Sequence, residues 1–320
     1  MKLPALKRGM QPRDALQTKS KRSVLTQHIK NYYWLYLFLG PTLLGLIIFC
    51  SVPMGGVIIA FKRYTGALSI WESKWVGLKW FKSFFNSFYA GTTIKNTLML
   101  SFYSLLTFPL PIIFALMINE VSNKRYKQVV QTVMYAPHFI STVVLVSMLN
   151  IFLADSGLVN QMLQKLGLDS INFLTSSKAF RHVYVWSDVW QNLGWNCIIY
   201  VAALSSVDPA QHEAAVLDGA TRLQRIWHIN IPAILPTIMI TLIMQVGNMM
   251  ASNTDKVLLM INDLNTDTAE IIGTFVYDRG LLSGDYSYAT AVGLFTNIVN
   301  LILLLSVNKV SAKVTDTSLF

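Results

Sequence analysis

Residues 33–61 run for 29 positions without a single Asp, Glu, Lys or Arg. Wound as an α-helix at ~1.5 Å per residue, that run is longer than the roughly 30 Å of a bilayer's hydrocarbon core. Few structures are open to such a stretch, because a spanning segment must satisfy its own backbone amides, as a helix does. Five more apolar stretches are long enough to cross, at roughly 95–119, 129–153, 183–205, 233–252 and 288–308. The fourth of the six is the most polar, interrupted by Asp188, Gln191, Asn192 and Asn196. The expected fold class is all-α, a polytopic membrane protein with six transmembrane helices. Composition agrees: 53% of the 320 residues are hydrophobic and only 13% charged. A soluble domain carries about 25% charge, so an ordinary cytosolic enzyme and a disordered chain are both excluded. Cys50 and Cys197 lie inside apolar runs, which argues against a disulfide framework or a thiolate metal site.

Basic residues set the expected orientation. Lys2, Lys7, Arg8, Arg13, Lys19, Lys21, Arg22 and Lys30 crowd the first 30 positions. So long a basic segment before so long an apolar run does not read as a cleaved signal peptide. Lying beside anionic lipid explains the basic tail better than a nucleic-acid arm does. With six spans both termini are then cytoplasmic, although Lys62, Arg63, Lys74, Lys79, Lys82 and Lys95 oppose the bias from the first external loop. The chain divides into a basic tail (1–30), a first helix with its external loop (31–94), a core of five spans (95–308) and a second tail (309–320). In the next external loop Leu158, Val159, Met162, Leu163 and Leu166 share one helical face, with Gly167 as its stop. Resting on the membrane and docking an outside partner both fit that face. The last external loop, 253–287, is long for a plain connection and is expected to pack or to bind.

The connection between the fourth and fifth spans carries the most information. Asp208 suits a helix N-cap, with Pro209 at the first helical position and Gln211 placed to complete a capping box. Gly219 suits a left-handed residue ending that helix. A second short helix is expected from about Thr221 until Pro232 breaks the chain into the next span. Ala214 and Ala215 permit close backbone approach, and Glu213 offers a charge to a partner.

Glu213-Ala214-Ala215, two residues, then Asp218-Gly219-Ala220, Ile226, Ile229 and Ile231-Pro232 resemble the EAA loop of bacterial ATP-binding-cassette importer permeases, in which three residues separate Glu-Ala-Ala from the Gly. Ile226 stands where that family often has Phe, and Ile231 where it usually has Leu. Tyr135-Ala-Pro-His-Phe-Ile-Ser141, Trp195 with Tyr200-Val-Ala-Ala-Leu204, and Ala289-Thr-Ala-Val-Gly-Leu-Phe295 are similar to the oligosaccharide branch, and more closely to its LplB-type members, relatives of the maltose permeases. The resemblance covers nearly all of the chain from about residue 33. It implies the transmembrane domain of a type I importer (MetI/maltose-permease-like) in a bacterial plasma membrane. A second homologous permease subunit would share the pathway, a homodimeric cytoplasmic ATPase would hold ATP and Mg, and an extracellular solute-binding protein would deliver an oligosaccharide. It assigns Glu213, Ala214, Ala215, Asp218, Gly219, Ile226, Ile229 and Pro232 to coupling with the ATPase.

Polar residues at helical spacing mark a candidate pathway, since polar groups in a bilayer face a bundle interior or a wet cavity. Span four places Asp188, Asn192 and Asn196 on one stripe beside Trp195 and Tyr200. Span five contributes Thr241, Gln245, Asn248 and Ser252, and span six Thr290, Asn297 and Asn300. Amides and a carboxylate suit ring hydroxyls, and an aromatic face suits the sugar ring. Interhelical hydrogen bonding is the competing explanation. For the basic first external loop two readings stay open: an acidic, uronate-containing cargo, or neutralisation of lipid phosphate. An ion-gradient-driven secondary transporter is the alternative function, but it calls for an acidic relay where the spans offer only Asp188. No phosphate-binding Gly-x-x-x-x-Gly-Lys-[Ser/Thr] and no His-Glu-x-x-His occurs in these residues, so neither ATP hydrolysis, metal binding nor other catalysis is expected of this chain, which holds no cofactor of its own.

Overall fold

The structure, a computed structural model, describes residues 30–315, so the basic tail lies, Lys30 apart, outside the described residues. The chain forms two units, Met1–Val57 and Ile58–Phe320. The first contributes the start of a helix running Tyr33–Phe61, and its α-helical part, Tyr33–Leu46, buries none of its residues. A π-helical turn, Ile47–Ser51, directly precedes Val52 and Pro53. The Val52 N–H bonds the Ile47 carbonyl, one residue farther back than in an α-helix. Widening the helix there accommodates a proline that has no N–H to donate.

Among the described residues four helices are long and apolar enough to cross a membrane: Tyr33–Phe61, Phe88–Asn119, Arg222–Gly247 and Tyr286–Lys313. Lys124–Phe139 and Thr142–Phe152 make a fifth if the pair counts as one span. That pair corrects the expectation of one continuous span over 129–153, for its halves are bent by 97°. Pro137 lies in a short 3-10 turn, Ile140 is extended, and Ser141 caps a fresh helix by accepting from the Val144 N–H. The break frees the Ile140 carbonyl, which accepts from Gln191 Nε2 at 2.7 Å. Ser177–Ser205 supplies that glutamine; at 29 residues it is long, but more polar than the others.

A second correction concerns Pro232. No break occurs there: Arg222–Arg225, a π turn Ile226–Asn230 and Ile231–Gly247 form one continuous helix. The Ile231 N–H reaches back to the Ile226 carbonyl just before the proline, the same device as at Pro53. The last helix, Tyr286–Thr315, continues well beyond residue 308.

Polar residues inside the spans chiefly fasten the segment 248–285. Asn96 Nδ2 donates to the carbonyls of Asp267 and Glu270 at 2.9 and 3.0 Å, while Arg181 donates to its Oδ1. Thr97 Oγ1 accepts from the Ile272 N–H at 3.0 Å, and Asn300 Oδ1 from the Met250 N–H at 2.8 Å. The expected long loop thus packs. It folds into Thr254–Met260, Thr266–Ala269 and Ile272–Tyr277, and buries Val257, Ile271, Ile272 and Phe275 in two apolar clusters with Leu100, Phe180, Val185, Phe84 and Val292. A third cluster gathers Ala115, Leu116, Cys197, Tyr200, Leu204 and Ile234. Lys62–Arg63 pairs antiparallel with Lys74–Trp75, a small strand pair in an otherwise helical chain. The expected short helix is present as Leu158–Lys165, ended by Gly167 at φ +76°.

Candidate functional site

Two places gather the residues picked out from the sequence. The first is the 208–232 connection. Asp208 caps Pro209–Leu217 by accepting from the Ala210 N–H at 2.9 Å. Gly219 sits at φ +79°, with its own N–H on the Val216 carbonyl and that of Ala220 on the Ala215 carbonyl, at 3.0 and 2.8 Å. This double closure is the Schellman ending that a glycine permits. The capping box expected from Gln211 is not formed there. It lies one helix later, where Thr221 and Gln224 bond reciprocally, because Asp208 can satisfy a helix N-terminus alone.

Glu213, Ala214, Asp218 and Gly219 are exposed and Ala215 half-buried. Glu213 forms no ion pair among the described residues. Ile226 turns the other way and packs on the Leu116–Tyr200–Leu204 cluster; Ile229 is half-buried and Pro232 exposed. Arg225 lies 4.0 Å from Glu120 at the end of the Phe88–Asn119 helix. The two helices therefore root in the bundle on one side and present a bare surface on the other. That surface includes three side chains the sequence reading passed over: Leu217, Leu223 and Trp227, with 88%, 69% and 65% of their area exposed. Their apolar character at an exposed helix end was the available signal.

The second place is a cavity of about 410 Å3 between Phe88–Asn119, Ser177–Ser205 and Arg222–Gly247. Asp188, Asn192, Trp195, Asn196, Tyr200 and Gln245 all line it. Asn248 lines an adjoining space of about 210 Å3 that shares Asp188, Gln245 and Ser104. Asn297 lines neither and is exposed on the last helix. Tyr200 serves both explanations, since its hydroxyl lies 2.8 Å from Thr241 Oγ1 while its ring belongs to the packed cluster.

A polar chain runs along the cavity wall. His138 Nδ1 lies 2.9 Å from Asn192 Oδ1, and its ring stacks on Trp195 at 4.3 Å with 7° between planes. Asn192 Nδ2 donates to Asp188 Oδ1 at 3.1 Å, and the same oxygen lies 3.7 Å from Lys256 Nζ. Asp188 is thus paired from behind by a lysine with no exposed surface. That ammonium also donates to the Tyr184 carbonyl at 3.0 Å and sits 4.9 Å from the Tyr184 ring centre. Nothing in the sequence around Lys256 marks it as a partner of span four.

Comparison with known proteins places this geometry among transporters. The family described as binding-protein-dependent transport system inner membrane component matches residues 107–316. Protein LplB of Bacillus subtilis (strain 168) is 43% identical over 294 residues, covering 91% of this chain and 92% of LplB. The polygalacturonan/rhamnogalacturonan transport system permease protein YteP of the same organism is 40% identical over 304 residues, covering 94% and 95%. A crystal structure of a bacterial alginate ABC transporter, in complex with an alginate pentasaccharide-bound periplasmic protein, contains a chain 40% identical to this one. The two match with a TM-score of 0.85 over 92% of this chain and 99% of that one.

Proposed function

The chain belongs to the family of binding-protein-dependent transport system inner membrane components, and from that premise we propose that it forms half of the translocation pathway of an ATP-driven oligosaccharide importer. The carrying observation is the cavity, where amides, one carboxylate and the Trp195 ring converge between three long helices. Such a set can hydrogen-bond ring hydroxyls and stack on a sugar face. The alternative of an ion-driven transporter loses ground, since the one carboxylate of this wall is committed to Lys256.

In the proposed assembly the chain crosses the inner membrane six times, counting the bent pair and Ser177–Ser205 as spans, with both termini in the cytoplasm. A second homologous permease completes the pathway, and a solute-binding protein delivers the sugar from outside. The exposed 208–232 surface seats on a homodimeric ATPase that binds ATP and Mg, and this chain does no chemistry itself. Glu213 makes a polar contact there, Ala214 and Ala215 allow close approach, and Leu217, Leu223 and Trp227 fill apolar space. ATPase closure moves both helices as a lever, because the continuous Arg222–Gly247 helix joins the loop directly to the cavity wall. A uronate-containing cargo is favoured by two of the relatives, a polygalacturonan/rhamnogalacturonan transport permease and a transporter that imports the acidic polysaccharide alginate.

The test is sugar-stimulated ATP hydrolysis by the reconstituted assembly, with oligogalacturonides and binding protein present, comparing wild type with Gly219→Val. A β-branched side chain at φ +79° is strained, so stimulation is expected to fall about tenfold or more while the complex still assembles. Wild-type hydrolysis unmoved by any oligosaccharide would sink the sugar reading, and an unimpaired variant would sink the lever.

A further inference from the structure

Asp188 is the one ionised side chain on the walls of both cavities; no Lys, Arg or His is among the described residues lining them. Its side chain keeps 42% of its surface, so its charge faces the space a substrate would enter, while Lys256 behind it keeps none. Both polar contacts of Asp188, from Asn192 and from Lys256, fall on Oδ1, which leaves Oδ2 as the oxygen a sugar hydroxyl can reach. A lone carboxylate in this wall would repel an anionic sugar across a medium of low dielectric, where like charges are felt strongly. With the ammonium 3.7 Å away the pair is close to neutral as seen from the cavity, yet keeps an acceptor for hydroxyls.

We propose that Lys256 is a specificity-determining positioning residue: it never touches the cargo, but by cancelling the Asp188 charge from behind it allows uronate-bearing oligosaccharides into the cavity. This rests on the sugar-pathway reading above. The geometry also carries a structural duty, since Lys256 ties Thr254–Met260 to Ser177–Ser205 through the Tyr184 carbonyl. The two duties separate by charge. Loss of a tie weakens every substrate alike, whereas loss of neutralisation penalises only the anionic one.

The experiment measures binding to the complete membrane assembly without binding protein, so that delivery does not select the sugar. The probes are one trigalacturonide as its free acid and the same trigalacturonide as its methyl ester, read by intrinsic tryptophan fluorescence. Lys256→Met is expected to weaken the free acid about tenfold relative to the ester. Asp188→Asn with Lys256→Met is expected to restore the wild-type ratio, because the wall is again uncharged. Asp188→Asn alone leaves the ammonium uncompensated and is expected to tighten the acid about threefold or more relative to the ester; an unchanged ratio would overturn the role, and this arm decides the matter if Lys256→Met fails to assemble. Equal weakening of acid and ester in Lys256→Met, or no restoration in the double variant, would overturn the role and leave Lys256 a tie. If wild type binds neither form, the sugar-pathway reading itself fails, and this inference with it.

Discussion

The 208–232 loop and the cavity wall are built on opposite plans. The loop closes its structure locally: Asp208 caps within two residues, Thr221 and Gln224 bond each other, and Gly219 ends its helix with bonds inside the same turn. Its outward face is left bare, with Leu217 the most exposed of its large side chains. The cavity wall closes at long range. Gln191 satisfies a carbonyl in another span, Lys256 bonds Tyr184 across 72 residues, and His138 stacks on Trp195. If the loop seats a protein partner, as proposed, its surface can be locally self-sufficient because the partner supplies what is missing. Polar groups on the side of the wall that faces away from the cavity have only neighbouring spans to bond, so that side must be cross-bonded before any ligand arrives.

The contrast breaks most easily at two glycines. A methyl group on Gly194 would meet the Met134 carbonyl oxygen at 2.1 Å, whereas one on Gly219 has nothing within 4 Å. Gly194→Ala is expected to destabilise the chain by about 3 kcal/mol, and Gly219→Ala by only about 1 kcal/mol from backbone strain. Thermal unfolding of the purified assembly in detergent checks both, and equal losses would mean that the loop is as tightly held as the wall. Next in size, Leu217→Asp should weaken ATPase-subunit affinity by about 2 kcal/mol while leaving permease stability within roughly 0.5 kcal/mol. Co-purification at graded ATPase concentration reads the first and the same melt reads the second.

Smaller still, Tyr200→Phe removes the bond to Thr241 but keeps the packed ring, for about 1 kcal/mol of stability. A loss several times larger would show the hydroxyl to be part of a wider network. The last test is a pH trend. Burial pushes Lys256 down to about 8 from 10.5, with Asp188 opposing the shift. The folded chain then sheds this proton as pH rises past about 8, while the unfolded chain holds it to near 10.5. Stability from this group therefore grows with pH across that window and is lost as pH falls back through 8. The melting difference between wild type and Lys256→Met, followed from pH 7 to about 10, should show that slope; a flat difference would mean that the lysine is not held in the buried site.

Much of the molecule was open to inference from residue order because its causes are local. Uncharged runs longer than a bilayer produce spanning helices wherever they occur, and the first was bounded at 33–61 in both sequence and structure. The glycine ending at 219, the stop at 167 and the stripe of Asp188, Asn192 and Asn196 follow from helical periodicity and φ preferences alone. Prolines misled, since Pro137 marks a real break and Pro232 does not. A π turn can absorb the missing N–H, and only the neighbouring backbone shows whether it does. What tertiary structure alone decided is pairing across distance. Asn297 and Asn192 look alike as polar residues in apolar helices, yet one lies exposed on the last helix and the other in a bonded chain along the cavity wall. Lys256, an unremarked lysine in a connecting segment, acquires its meaning from Asp188. Helix formation depends on nearest neighbours, which a sequence displays directly, whereas the partner of a buried charge depends on how helices cross, which it does not.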